Sequence, residues 1–237
     1  MTSKPLAEAL EEAFQHCRDM DASLSERLDS LAQAVRTLSP PFADAVDRLV
    51  ARLQQSGAGE SAPKIDDTLP PFHLPDEAGH IVSLDELLSK GPVAVTFHRG
   101  HWCPYCRLNT IALAKAQKEI EREGSRIVAI MPDRQQFAQE LKTESKARFS
   151  ILTDMDNGYA LSLNLLIWVG AEMERMISAV GLDIPSYQGN TSWMLPIPAT
   201  FVVGTDRKVK ARFVDPDYRK RMEIEGLIAA LRSARFD

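Results

Sequence analysis

The chain has 237 residues, of which 44% are hydrophobic, and a formal net charge of -5. This size allows one large domain or a domain with an appendage, and the acidic balance without a basic stripe excludes nucleic acid as the expected partner. The opening residues 1–5 have no apolar signal core, and no apolar run approaches membrane-spanning length. We therefore expect a cytoplasmic protein without a membrane partner.

The N-terminal part of the chain predicts three amphipathic helices. Ser23 and Glu26 have the spacing of a capping box, and Pro40 with Pro41 favours the end of one helix and the start of the next. Each helix has one apolar stripe that must be buried. The apolar positions at helical spacing are Leu6, Leu10, Phe14 and Cys17; Leu24, Leu28, Leu31, Val35 and Leu38; and Phe42, Val46, Leu49, Val50 and Leu53.

A segment of turn-forming residues, 56–63, separates these helices from the rest of the chain. We therefore predict two units: an N-terminal three-helix extension over residues 1–62 and a second domain over residues 63–237. Cys17 belongs to an apolar stripe, so we interpret it as a core residue rather than a redox thiol.

The second unit alternates between short apolar runs and helical patterns. One helix is predicted from Pro104 to about Glu123, and another is predicted to be capped by Asp133 and Gln136. The turn 204–208 is short enough for an antiparallel hairpin. The apolar runs cover residues 93–97, 126–130, 200–203 and 209–214. This pattern predicts an α/β domain whose central sheet is mixed and has helices on both faces.

The residues with evident redox chemistry lie where the first predicted strand meets a helix. Pro104 fits the first helical position, which places Cys103 and Cys106 in the first turn. Unpaired N–H groups and the positive end of the helix dipole favour a thiolate there, and Arg99 or Arg107 would lower the thiol pKa further. Cysteines at this spacing can form a disulfide, so the motif predicts a solvent-accessible, reversible dithiol.

Two other interpretations of this motif are weaker. Inert, buried thiols are unexpected in a loop between a strand and a helix. His98 and His101 form a cluster with the two cysteines, but a closed zinc site normally joins two ligand pairs across a longer spacer. The sequence has no second pair, so we predict no metal.

Pro198 is a further candidate for the site. It stands at the entrance to the predicted strand 200–203, where a cis Ile197–Pro198 bond is possible. The alternative is a proline that merely starts an edge strand.

From about residue 63 onward, the chain resembles the alkyl hydroperoxide reductase/thiol-specific antioxidant superfamily, and in particular its peroxiredoxin-like members that carry Cys-x-x-Cys. The matching segments are PPFHLPD at 70–76, VSL at 82–84, FHRGHWCPYC at 97–106, PIPATF at 196–201 and VDPDY at 214–218. The resemblance implies a thioredoxin-like fold and a peroxiredoxin-type oxidoreductase that needs no cofactor. It also implies a cysteine sulfenic acid as intermediate and a thiol reductant such as thioredoxin or glutathione.

The resemblance also implies roles for individual residues. Superposing the family pattern Pro-x-x-x-Thr-x-x-Cys puts Cys106 in the peroxidatic position, Cys103 in place of Thr and Arg99 in place of Pro. Pro198 stands near the position where many relatives have an Arg before Ser-Thr-Phe. The site residues so implied are Cys106 and Cys103 as catalytic residues, with Arg99, Trp102, Pro198 and Thr200 in support.

Three functions remain open at this point. In a thiol peroxidase, Cys106 attacks the peroxide, Cys103 condenses with the sulfenic acid, and Arg99 holds the thiolate. In a thioredoxin-like or glutaredoxin-like disulfide oxidoreductase, Cys103 is the nucleophile and Cys106 resolves the mixed disulfide. The third is a redox sensor.

Two structural questions also remain open. The apolar stripes of the first three helices must be covered by the redox domain or by a second subunit, and we expect a homodimer. The segment 166–194 predicts either a lid over the dithiol or a short helix with Met173 and Met176 in the core.

Overall fold

A computed structural model describes residues 5–235 of the chain. Residues 1–4 lie outside the described residues. The expectation that the N-terminus has no apolar signal core falls partly on them. The helices are α1 Leu6–Asp19, α2 Leu24–Leu38, α3 Pro40–Gln55, α4 Leu84–Leu88, α5 Pro104–Arg122, α6 Gln135–Ser145, α7 Gly158–Ser162, α8 Ala171–Ala179, α9 Ile184–Gln188 and α10 Ile224–Ser233. The strands are β1 His73–Pro75, β2 Ile81–Ser83, β3 Val93–Phe97, β4 Arg126–Met131, β5 Ser150–Thr153, β6 Leu166–Trp168, β7 Met194–Pro196, β8 Ala199–Val203 and β9 Val209–Val214.

The three N-terminal helices form as the sequence predicts. Ser23 and Glu26 make both hydrogen bonds of the capping box at the start of α2, and Pro40 begins α3. Cys17 is buried in a core shared by the three helices. The Arg27 side chain donates to the carbonyl oxygens of Cys17 and Arg18, which ties the end of α1 to α2.

The central sheet is mixed, in the order β5-β4-β3-β8-β9. The strands β3, β4 and β5 are parallel, whereas β8 is antiparallel to both β3 and β9. The predicted hairpin between the last two strands is therefore confirmed. One face packs against α4 and α7, and the other packs against α5, α6 and α10. The predicted α/β domain with a mixed central sheet and helices on both faces, preceded by N-terminal helices, is confirmed.

The N-terminal helices pack onto the redox domain. Their apolar stripes share one buried cluster with residues of α5 and α8. Most of these positions are thus covered by the same chain, whereas Leu38 is 40% exposed, and the homodimer stays a prediction. The division at residue 62 likewise stays a prediction.

The segment 166–194 contains more regular structure than a loop. The strands β6 and β7 pair in antiparallel fashion, and α8 and α9 lie between them. Met173 is buried in the core, and Met176 packs against the same cluster. Within the described residues, no helix is long and apolar enough to cross a bilayer.

Candidate active site

The loop 98–103 leaves the sheet at the end of β3, and α5 begins directly after it. Pro104 is the first residue of α5, as predicted, which makes Cys103 the N-cap and places Cys106 in the first turn. The side chains of Cys103 and Cys106 are 1% and 0% exposed. The predicted solvent accessibility of the dithiol is therefore wrong, because α1–α3 and α8 pack over the start of α5.

The Cys106 sulfur lies in a set of hydrogen-bond donors. The backbone N–H of Arg99 donates to Sγ at 3.3 Å, and Nη2 of Arg221 donates to it at 3.2 Å. Burial raises the pKa of Cys106, but the hydrogen bond from Cys103 and the positive charge of Arg221 outweigh it. The pKa of Cys106 therefore lies well below its usual range.

Cys103 has the opposite tendency. Burial raises its pKa well above the usual value, and its contact with the Cys106 sulfur raises it further. Cys103 therefore keeps its proton and donates it in a hydrogen bond to Cys106. These pKa directions favour Cys106 as the thiolate and Cys103 as the thiol.

Arg221 contacts the Cys106 sulfur and was not identified from the sequence. It lies between β9 and α10, is buried, and its Nη1 donates to the carbonyl oxygens of Tyr218 at 2.5 Å and Lys220 at 2.6 Å. These bonds hold the guanidinium against Cys106. The nearest segment that the sequence analysis singled out is 214–218, which ends three residues before Arg221.

The structure differs from the sequence prediction in how Arg99 reaches the sulfur. Its backbone N–H makes the contact, whereas its guanidinium carbon lies 3.8 Å from the ring centre of Tyr218 and 5.0 Å from that of Trp102. Cation–π attraction to two rings explains this position. Arg107 is also turned away, because its guanidinium pairs with Glu11 and Glu144.

The two histidines of the motif do not converge on the cysteines. The His98 ring lies 3.2 Å from Thr110 Oγ1 through Nδ1 and 3.1 Å from Asn109 Nδ2 through Nε2. Since Thr110 donates its proton to the Cys106 carbonyl, it accepts from His98 Nδ1–H. Burial lowers the pKa of His98 to about 4, so the ring is neutral near pH 7.

His101 lies on the outer side of the loop. Its ring nitrogens lie 3.4 Å from Glu140 and 3.2 Å from Glu144. Within residues 5–235, no three His, Cys, Asp or Glu side chains are grouped so as to hold a metal ion.

Asp133 takes a role that differs from the predicted helix cap. Arg134 is the N-cap of α6, and no side chain makes a cap hydrogen bond there. The Asp133 carboxyl instead accepts the backbone N–H of His101 at 2.7 Å and so holds the redox loop. Burial raises the pKa of Asp133 to about 8.

Comparison with known proteins decides the family. Residues 65–212 match the family model described as the AhpC/TSA family. This chain belongs to the AhpC/TSA family. It is 28% identical over 159 residues to the 1-Cys peroxiredoxin PER1 of Triticum aestivum, and equally to that of Hordeum vulgare. The chain spans 64% of the length of each of these relatives, and the match covers 64% of this chain.

Solved structures share the fold of this AhpC/TSA-family chain. Peroxidoxin BcpB from Mycobacterium tuberculosis superimposes with a TM-score of 0.56 at 23% identity, over 72% of this chain and 97% of the other. A mutant of peroxiredoxin 6 from Arenicola marina gives a TM-score of 0.55 at 15% identity, over 72% of each chain. The predicted resemblance to peroxiredoxin-like thioredoxin-fold proteins is thus confirmed.

Two parts of the site lie outside the residues that match the AhpC/TSA family model. Arg221 follows the match, which ends at residue 212, and the helices that cover the cysteines precede its start at residue 65. The matched residues therefore supply the cysteines and, with α8, part of the cover, while the flanking residues supply Arg221 and the three N-terminal helices.

The predicted supporting residues near β8 lie in the sheet. The Ile197–Pro198 bond is trans, as are all other peptide bonds within residues 5–235, so the cis prediction is wrong. β7 ends at Pro196 and β8 begins at Ala199, and the Ile197 N–H donates to the Leu165 carbonyl at 2.7 Å. β8 is also an interior strand: Thr200 pairs with Thr96, and Pro198 lies one residue before the pair of Ala199 with Phe97.

Proposed function

We propose that this protein is a thiol peroxidase in which the Cys106 thiolate attacks the peroxide. The observation that carries the proposal is the pair of donors on the Cys106 sulfur, the Arg99 backbone N–H at 3.3 Å and Arg221 Nη2 at 3.2 Å, which favour its thiolate. The pKa directions agree with this, lowered at Cys106 and raised at Cys103. The thiolate is the nucleophilic form of cysteine. The similarity to 1-Cys peroxiredoxins supports the same reaction.

The reaction balances with the groups present. The Cys106 thiolate attacks one peroxide oxygen, the O–O bond breaks, and Cys106 becomes a sulfenic acid while an alkoxide or hydroxide leaves. Cys103 supplies the proton to that leaving group and becomes a thiolate. It then attacks the Cys106 sulfur, so that a disulfide forms and hydroxide departs.

The hydrogen bond between the two thiols supports this division of roles. Cys103 is already the donor to Cys106, so it is placed both to protonate the leaving oxygen and to attack the sulfenic acid. A thiol such as thioredoxin or glutathione would then reduce the disulfide, in the cytoplasm, where thiols are kept reduced.

A disulfide oxidoreductase is the second candidate, and it fits less well. That reaction needs Cys103 to be the accessible thiolate and Cys106 to be the resolving thiol. The pKa order found here is the reverse.

Trapping of the sulfenic acid tests the proposal. Cys103→Ser and Cys106→Ser proteins are treated with one equivalent of hydrogen peroxide and with dimedone, and the adduct is located by mass spectrometry. We expect the adduct on Cys106 in the Cys103→Ser protein, and a Cys103–Cys106 disulfide in the unmodified protein. The control is Cys17→Ala, which should form the disulfide normally. An adduct on Cys103 in the Cys106→Ser protein at a comparable rate would overturn the assignment.

A further inference from the structure

An apolar cavity of about 210 Å³ lies between the N-terminal helices and the redox loop. It is lined by residues of α1, α2, α3 and α8 and, from the redox loop, by Arg99, Trp102 and Cys103. Its apolar lining includes Phe14, Ala32, Val35, Val46, Met173 and Ile177.

The size and lining of this cavity suit a hydrocarbon group. An apolar cavity of about 150 Å³ stays dry and can bind benzene. The cavity here is somewhat larger and is lined mostly by aliphatic and aromatic side chains. Hydrogen peroxide would find few hydrogen-bond partners along these walls, whereas a single aromatic ring with a small substituent would be well covered.

The part of the lining that comes from the redox loop carries a positive charge, that of Arg99. Arg99 is 3% exposed, and its guanidinium lies against the rings of Tyr218 and Trp102. The nearby carboxylates pair with other cations, since Glu11 binds Arg107 and Asp217 binds Arg219. The charge of Arg99 is therefore available to an oxygen-bearing head group.

The same part of the lining adjoins the reactive sulfurs. Cys103 forms part of the wall, and its thiol is hydrogen-bonded to Cys106. A head group bound beside Arg99 thus lies next to the cysteine pair, while the rest of the molecule extends toward α2 and α8.

We propose that this cavity binds the hydrocarbon part of an organic hydroperoxide, and that α1–α3 thereby make the protein selective for substrates with a compact apolar group. The walls contributed by α1–α3 lie outside the residues that match the family model, whereas those of α8 and the redox loop lie within it, so the N-terminal helices complete this subsite. The proposal rests on the proposed peroxidase function and names the substrate class.

The test compares two peroxides in matched variants. Ala32→Phe fills the cavity from α2, and Ala51→Phe adds the same side chain on the exposed side of α3 as a control. For each protein, kcat/KM is measured with cumene hydroperoxide and with hydrogen peroxide. We expect Ala32→Phe to lower the ratio of the two constants at least tenfold, and Ala51→Phe to leave the ratio at its wild-type value.

A binding measurement that needs no turnover accompanies the kinetics. The alcohol product of cumene hydroperoxide, 2-phenyl-2-propanol, is titrated into the reduced wild-type protein and followed by ligand-observed NMR. We expect saturable binding that Ala32→Phe weakens at least tenfold. Val35→Phe, at a half-buried wall position, serves if Ala32→Phe does not fold.

The outcomes separate this proposal from the proposed function. Reduction of hydrogen peroxide without preference for cumene hydroperoxide, and without binding of the alcohol, would overturn the subsite and leave the peroxidase standing. Binding of the alcohol without reduction of either peroxide would overturn the proposed peroxidase function, and it would show only that the cavity binds an apolar ligand.

Discussion

The Nη2 atom of Arg221 lies 3.2 Å from the Sγ atom of Cys106, although 115 residues separate the two in the chain. A buried guanidinium at this distance stabilises a thiolate more than it could in water, because the surrounding protein screens charge weakly. His98 is the other basic side chain acting on Cys106, and it is neutral near pH 7. Arg221 is therefore the main positive charge acting on the sulfur.

Replacing Arg221 should raise the pKa of Cys106. We expect Arg221→Gln to raise it by about one unit or more and to lower the second-order rate constant for hydrogen peroxide at pH 7 about tenfold or more. Thiolate absorbance at 240 nm and stopped-flow kinetics measure these two quantities. Arg232→Gln, on the exposed face of α10, is the control. An unchanged Cys106 pKa in Arg221→Gln would show that Arg221 does not stabilise the Cys106 thiolate.

Asp133 should make stability depend on pH. Its pKa is raised to about 8 by burial, so between about pH 4 and pH 8 the folded protein holds a proton that the unfolded chain has released. Stability should therefore fall as pH rises through this window, with a contribution of up to about 1.4 kcal/mol per pH unit from this group.

Asp133→Asn removes this contribution and keeps the shape of the neutral carboxyl. We expect the free energy of unfolding, measured by urea denaturation from pH 5 to pH 8, to fall less with pH in Asp133→Asn than in wild type. Asp29→Asn, at an exposed position of α2, controls for the loss of one acidic group. Parallel pH profiles for wild type and Asp133→Asn would contradict the assignment.

Gly100 should resist substitution for two separable reasons. Its φ is +145°, and an added Cβ would contact Trp102 Nε1 and lie 2.7 Å from Asp133 Oδ1. We expect Gly100→Ala to lower the free energy of unfolding by about 2 kcal/mol or more, from backbone strain and overpacking together. Gly181→Ala is the matched control, since its φ is +83° and no atom lies within 4 Å of the added Cβ. Equal losses in the two variants would show that the contacts around Gly100 are unimportant.

Local patterns in the sequence predicted much of this fold. Ser23 and Glu26 marked the start of α2, and Pro104 marked the start of α5, because capping and proline geometry depend on neighbouring residues. The short strands β1, β2, β6 and β7, each of three residues, were missed because so few residues show no clear alternation.

The burial of the cysteines could not be predicted in this way. It depends on how α1–α3 pack over α5, which no local pattern encodes. The same holds for Arg221, which occupies a segment without motif or periodicity and reaches Cys106 only through tertiary structure. The cis interpretation of Pro198 failed because the course of the chain around Ile197 is also set by tertiary contacts.

We propose that Cys106, and not Cys103, is ionised in the resting protein. This proposal is tested most directly by the pH dependence of absorbance at 240 nm in Cys17→Ala/Cys103→Ser and Cys17→Ala/Cys106→Ser proteins, each of which keeps one cysteine. This measurement does not require a reagent to reach a buried sulfur. We predict that Cys106 titrates below the usual cysteine range, because Arg221 stays beside it, and that Cys103 titrates above it, because it stays buried. Ionisation of Cys103 at the lower pH would contradict the account.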